Sequence, residues 1–291
     1  MARSSVWYVY GIVDASLDLQ GAPAGIDETP VALEPGEGAE DRMAALVSAL
    51  DADRYDAAAL GRDTADVEWL SPRAVAHDRV LTWASDRGAV VPLPMFSAMF
   101  SSPNAVRTML RDRSASISAA LDRAASGREY VLRAHRADAE LLAHITELSP
   151  RLAEMQRTAA EASPGQRYLL ERKLDAERKG ELRSVARRVA REVYDSLAAN
   201  AVAATRTDAD KTATRAQTHA AGEGSDAVTL TLDAAFLVAP GEWPVFQRTL
   251  SELIERYRSR GFRFDFSGPW PPYHFVAGAQ GNAADDRDHD A

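Results

Sequence analysis

The sequence predicts an α+β protein of two domains. Three observations lead there. Short runs of β-branched and aromatic residues, Val6–Val13 above all, alternate with longer stretches of helical periodicity. The second half reads strand, helices, strand, strand, helix, strand, which is a ferredoxin-like order with an oversized first helical connection. The chain has 291 residues, of which 46% are hydrophobic, enough for two ordinary cores.

Val6–Val13 is the opening strand. Asp14–Gly38 holds proline, glycine and acidic residues with little periodicity, so it reads as a long loop with one short strand near Val31–Leu33. Met43–Leu50 is apolar and short, and reads as a buried strand despite its alanines. Ser71-Pro72 looks like a helix start, because serine caps and proline suits the first helical position. That helix ends before Gly88. Ala89–Leu93 is a proline-broken strand. Ser102-Pro103 repeats the cap, and Val106, Met109, Leu110, Ile117 and Leu121 recur at helical spacing until Gly127.

The first domain is therefore expected over 1–127 and the second over 128–276. Glu129–Arg136 alternates as a strand and opens the second domain. Asp138–Leu148 is helical, and Ser149-Pro150 and Ser163-Pro164 start two more helices. The helix over about 165–199 is the longest element. Leu170, Leu174, Leu182, Val185, Val189, Val193 and Leu197 form its apolar stripe. Its other face is charged and grows basic toward the end, through Arg183, Arg187, Arg188 and Arg191. Ala201–Arg206 is a short strand, and Thr207–Ser225 a polar loop. Ala227–Val238 is a long strand, the stretch from Trp243 to Tyr257 a helix, and Phe262–Phe266 the closing strand. Residues 277–291 read as a disordered acidic tail.

Ser267–Pro272 follows the closing strand. Its three prolines bar helix and bar a central strand position. It reads as a stiff strap that presents Trp270 and Tyr273 in fixed directions, and packing onto the second domain is favoured over direct partner contact.

The chain has no cysteine, which excludes disulfides, thiolate metal sites and cysteine nucleophiles. A net charge of -9 argues against general nucleic-acid binding. No apolar run is long enough to span a membrane, and no signal peptide is evident, so a cytoplasmic location is expected. Lysine occurs only at Lys173, Lys179 and Lys211, and arginine supplies the other cations. The histidines, including His77, His135, His144 and His274, show no metal-ligand spacing, and no nucleophile elbow or phosphate loop occurs. No cofactor, metal site or catalytic constellation is expected. The competing reading is a ligand- or phosphate-binding protein or enzyme of ferredoxin-like fold, gripping phosphate with the arginine face or using a pocket around His135 or His144.

Gly268-Pro269-Trp270-Pro271-Pro272-Tyr273-His274-Phe275-Val276 closely resembles the terminal signature of the gas vesicle protein F/L family. Tyr8-Val9-Tyr10-Gly11-Ile12-Val13 resembles the opening strand of that family. Ala89–Phe96, Ser163–Lys173 and Ala234–Val238 resemble later segments in the same order. Two departures stand out. Met95-Phe96-Ser97 replaces a basic residue and a Phe-Gly pair, and His274 stands where a small polar residue is common. The chain's length is more like the L-type members.

The resemblance implies an N-terminal modified ferredoxin-like α+β domain joined to a C-terminal α+β domain with a long amphipathic, coiled-coil-like helix. It implies a non-enzymatic accessory protein of gas vesicle assembly, located at the vesicle. Its expected partners are the small hydrophobic shell protein and other accessory proteins. The candidate interaction or fold-locking residues are Tyr8, Tyr10, Pro269, Trp270, Pro271, Pro272, Tyr273, Arg183, Arg187 and Arg191.

Overall fold

The computed structural model describes residues 4–36, 42–206 and 228–276. The expected loop at Thr207–Ser225 and the expected acidic tail lie outside the described residues. The chain divides into two compact units, one running to Glu129 and resuming at Pro269, the other Tyr130–Gly268.

Unit 1 contains β1 (Ser5–Asp14), a 3-10 turn (Ile26–Glu28), β2 (Ala32–Pro35), β3 (Met43–Asp51), α1 (Ala57–Asp63) and α2 (Val67–Ser85). It continues through β4 (Val90–Pro92), β5 (Met99–Phe100), α3 (Pro103–Asp112) and α4 (Ser114–Ala125). The sheet order is β2-β3-β1-β4, with β5 also paired to β1. Among the described residues, α-helices enter only after β3. The connection between the first two strands of unit 1 thus carries a 3-10 turn where an unmodified ferredoxin-like order has an α-helix.

β1 is buried on both faces, and one irregularity sets which side chain faces which way. Its antiparallel register with β3 shifts between Val9 and Gly11. Before the shift, Tyr8 and Tyr10 point to one face and Val9 to the other. The extra residue then inverts the alternation. Ile12 joins Val9 in the cluster holding Val106, Leu110 and Ile117 of α3 and α4. Val13 joins the two tyrosines in the cluster holding Val80, Leu81 and Ala84 of α2. Gly11 is required at the shift, because a Cβ there would lie 2.7 Å from the Val91 carbonyl oxygen.

The caps explain the helix starts. Ser102 Oγ accepts from Ala105 N at 3.2 Å, as a serine before proline should. α2 starts earlier than Ser71-Pro72 suggests. Asp66 is its cap, accepting from Glu68 N at 2.9 Å, and Pro72 lies inside the helix. The carboxylate outcompetes the Ser-Pro signal, and an interior proline removes one helical hydrogen bond.

Unit 2 contains β6 (Arg128–Ala137), α5 (Asp138–Leu148), α6 (Pro150–Glu161), α7 (Pro164–Ala198), β7 (Ala203–Arg206), β8 (Val228–Val238), α8 (Trp243–Arg258) and β9 (Phe262–Trp270). The first residues of β6 and the last of β9 fall in unit 1. The sheet order is β7-β8-β6-β9. The apolar stripe of α7 is buried from Leu174 through Leu182, Val185, Val189 and Val193 to Leu197, against Leu141, Ile145 and Leu152 of α5 and α6. Each of these side chains contributes about 1.5–3 kcal/mol by leaving water. Ser149 caps α6 through Leu152 N at 3.3 Å. Ser163 does not cap α7, since its hydroxyl donates to Gln166 Oε1 at 3.0 Å. Arg167 instead donates to the carbonyls of Ala159 and Ala160 that end α6, at 3.2 and 2.9 Å.

The proline segment differs most from expectation. β9 runs on through Gly268 and Pro269 to Trp270. This is possible because β9 is an edge strand, where a proline interrupts no central ladder. The residues after it group with unit 1, not with the second domain as the strap reading has it. Val276 is 3% exposed among Val9, Ile12 and Val106, and Tyr273 packs on the Tyr8 cluster. The apolar side chains of the segment find their cavity in unit 1.

Candidate functional site

The tyrosines of β1 organise a polar knot inside unit 1. Tyr8 OH lies 2.6 Å from His77 Nδ1, and Tyr273 OH lies 3.4 Å from His77 Nε2. The imidazole therefore sits between two phenols, stacked on Tyr10 at 5.7 Å. Burial pushes His77 down to about 4, with the Leu93 backbone partly offsetting it. Burial pushes Tyr8 and Tyr273 well above the usual phenol range. At neutral pH all three are uncharged. A neutral imidazole donates at one nitrogen and accepts at the other, which matches two hydroxyl neighbours.

Tyr10 makes the second knot. Its OH accepts from Ile26 N at 2.9 Å and donates to Ser48 Oγ at 3.1 Å, while Ser48 Oγ donates to Pro30 O at 2.9 Å. This tethers the 3-10 turn, where Asp27 and Glu28 take positive φ of 49° and 59°. Asp27 uses that geometry for two ion pairs. Its carboxylate receives Arg73 Nη2 at 2.8 Å, Arg54 Nη1 at 3.0 Å and the Tyr55 hydroxyl at 2.7 Å. Arg73 also donates to Tyr55 OH and to Trp69 O, both at 2.7 Å, and lies 4.1 Å over the Trp69 ring. Burial pushes Tyr55 up to about 12; Arg73 opposes this and Asp27 adds to it.

Phe96 closes the knot. It is held at φ 60°, an uncommon conformation for a bulky side chain. Its ring meets Tyr8 at 5.6 Å, Tyr55 at 5.9 Å and Trp69 at 5.8 Å. These contacts hold the strained backbone.

A groove of about 1050 Å³ lies alongside, also in unit 1. β5 contributes Met99 and Phe100, α3 contributes Ala105 and Met109, and α1 contributes Leu60 and Gly61. Among the described residues, Asp56, Asp112 and Arg113 are its charged members, and none of its lining is histidine. A smaller cleft of about 360 Å³ is lined by Asp14, Asp18 and Arg87. Among the described residues, no group of three or more His, Asp or Glu side chains is placed to hold a metal, and no helix is long and apolar enough to cross a membrane.

The other candidate residues lie apart from these. Arg183, Arg187 and Arg191 are exposed on α7, in line with Lys179 at steps of four. The row is about 18 Å long at the helical rise. Of the proline segment, Pro271 and Pro272 are buried, Pro269 is exposed and Trp270 is 39% exposed. His135 Nδ1 lies 3.3 Å from Asp265, and His144 Nδ1 lies 3.0 Å from Glu147, so neither histidine enters the groove.

His77 is the residue that sequence reasoning passes over. The signal was present: Arg73, His77, Val80, Leu81 and Ala84 share one buried face of α2. A histidine at a stripe position is a core histidine by default.

The family model described as gas vesicle synthesis protein GvpL/GvpF matches residues 6–277. Gas vesicle protein L2 of Halobacterium salinarum is 28% identical over 275 residues, covering 92% of this chain and 90% of that protein. The crystal structure of gas vesicle protein GvpF from Anabaena sp. PCC7120 superposes with a TM-score of 0.61 at 17% identity, covering 94% of this chain and 96% of that one. GvpF from Microcystis aeruginosa gives 0.59 at 17% identity, covering 94% and 99%. These two share the mixed helix-and-strand fold. The match to the family model extends from the first strand to the end of the proline segment, and the chain belongs to the gas vesicle GvpL/GvpF family.

Proposed function

We propose that this chain is a non-enzymatic accessory protein of gas vesicle assembly, of the L type. It holds the apolar shell subunit and meets other accessory proteins, in the cytoplasm and at the vesicle. The observation that carries this reading is the unit 1 groove. At about 1050 Å³ it lies at the top of the range of small-molecule pockets, about 300–1,000 Å³. Its two methionines, Met99 and Met109, are side chains that adapt to varied apolar surfaces. A peptide segment of a hydrophobic subunit fits these features better than a substrate does. Unit 2, read as the ferredoxin-like element, then presents α7 as a coiled-coil-like docking helix.

Copurification with the shell protein tests the reading. Thr108→Arg places a bulky charge in the groove at a side chain outside the apolar clusters and abolishes capture, while the melting temperature stays near that of the parent. Undiminished capture by this variant, or no capture by the parent, overturns it.

A second reading draws on the cationic row of α7. Phosphate or a nucleotide would satisfy Arg183, Arg187 and Arg191. A nucleotide panel that raises the melting temperature, with the gain lost in Arg187→Glu, favours it. An unchanged melting temperature removes it.

A further inference from the structure

We propose that β9 is a self-association edge, along which two copies of this chain join antiparallel through Phe262–Phe266. β9 ends the sheet order β7-β8-β6-β9, so β6 is its one neighbour among the described strands. Such an edge carries a row of backbone donors and acceptors that pairs readily with another strand.

The sequence of this edge reads the same by residue class in both directions. Phe262, Phe264 and Phe266 lie on the inner face and pack on the unit 2 core. Arg263 and Asp265 lie on the outer face, with side chains 53% and 74% exposed. In an antiparallel pair, residues directly opposite point to the same face. Inner residues must therefore meet inner residues, and only registers that shift by two are allowed.

Centred on Phe264, the two-fold places Arg263 opposite the partner's Asp265, and Asp265 opposite the partner's Arg263. Phe264 meets its own copy, and Phe262 meets the partner's Phe266. Centred on Arg263 or on Asp265, like charges face each other. One register is thus favoured, and it gains both ion pairs. The charged groups are already held in place. Arg263 Nη2 lies 2.6 Å from Glu140, and Asp265 Oδ2 lies 3.3 Å from His135. Guanidinium and carboxylate each keep hydrogen-bonding capacity beyond those contacts.

The edge is short. Gly268 takes φ 123° and Pro269 has no N–H to donate, so the ladder stops there. A strand pair of this length buries less than a stable interface of about 1,200 Å². Weak, concentration-dependent dimers follow.

Sedimentation equilibrium tests this. The variants are made in a Glu140→Gln background, which removes repulsion within one chain. Arg263→Asp alone and Asp265→Arg alone each weaken self-association about ten-fold or more. The double swap restores it, because the opposite charges face each other again. Since the parent lacks cysteine, Arg263→Cys with Asp265→Cys provides an independent reading. That variant cross-links to a dimer on oxidation at concentrations where Arg263→Cys alone does not. A parent that stays monomeric up to roughly millimolar concentration, single swaps without effect, or a double swap no better than the singles overturns the proposal. So does failure of the double-cysteine variant to cross-link beyond the single one.

Discussion

Glu129 and His274 stand 145 positions apart and meet twice. One carboxylate oxygen accepts from the His274 backbone N–H at 2.9 Å, and the other lies 2.6 Å from His274 Nδ1. Glu129 is 1% exposed, so the C-terminal segment supplies partners to a carboxylate that water does not reach. His274→Ala takes one of these partners away from the buried carboxylate and therefore lowers stability by about 1–3 kcal/mol in urea unfolding. A loss within experimental error means the contact is incidental.

His77 makes stability depend on pH. Its ordinary value of 6.5 falls to about 4 in the folded chain. Unfolding therefore takes up a proton between these values. The stabilisation is complete above about pH 6.5 and is lost as the pH falls toward 4. The full span corresponds to a loss on the order of 3 kcal/mol. His77→Gln flattens this slope relative to the parent across the window, measured by chemical denaturation at several pH values. Equal slopes contradict the assignment.

Gly25 is a packing position and not a conformational one. A Cβ there would lie 2.1 Å from Tyr10 OH and 2.7 Å from Ser48 Oγ. Gly25→Ala costs about 1–3 kcal/mol by overpacking. Tyr10→Phe in the same chain recovers part of that loss by removing the clashing oxygen. If the double variant is additive, the clash is being relieved elsewhere.

The proline segment divides into a part that holds the fold and a part that does not. Tyr273→Ala loses a ring that packs on the Tyr8 cluster and costs about 3–5 kcal/mol. Trp270 is 39% exposed and its truncation costs clearly less. Differential scanning calorimetry ranks the two, and the reverse order refutes the division.

On α7 the two faces separate in the same manner. Leu182→Ala opens a cavity and costs about 2–5 kcal/mol, since Leu182 is 6% exposed. Arg187→Ala changes stability by no more than about 0.5 kcal/mol. A large effect of Arg187 on thermal unfolding would give that arginine a structural role.

Local signals were legible in the chain, and long-range ones were not. β1, β6 and β8 declare themselves through β-branched and aromatic density. The Ser-Pro caps at Ser102 and Ser149 are seen directly, because cap and helix are neighbours. The same device misleads at Ser71, where Asp66 caps earlier. α1 is nearly all alanine on its apolar side, and β5 has two residues, so neither produces a pattern. The reassignment of the proline segment depends on pairings such as Tyr273 with His77, 196 positions apart, to which no sequence window is sensitive. The inverted alternation after Val9 is hidden for a related reason, since a bulge shows only when the partner strand is in view.

The chain leaves unit 1 after Glu129 and returns at Pro269. During synthesis this order delays closure. When unit 1 has all its strands and helices, it still lacks Tyr273 and Val276, and at about 5–20 residues per second the ribosome needs roughly 8–30 seconds more to supply them. Throughout that interval the Tyr8–His77 knot has one phenol missing, and the cluster around Val9 and Val106 is short of one side chain. Unit 2 emerges whole in the meantime. The first unit to be made is thus the last to be finished, and it is the unit that holds the groove.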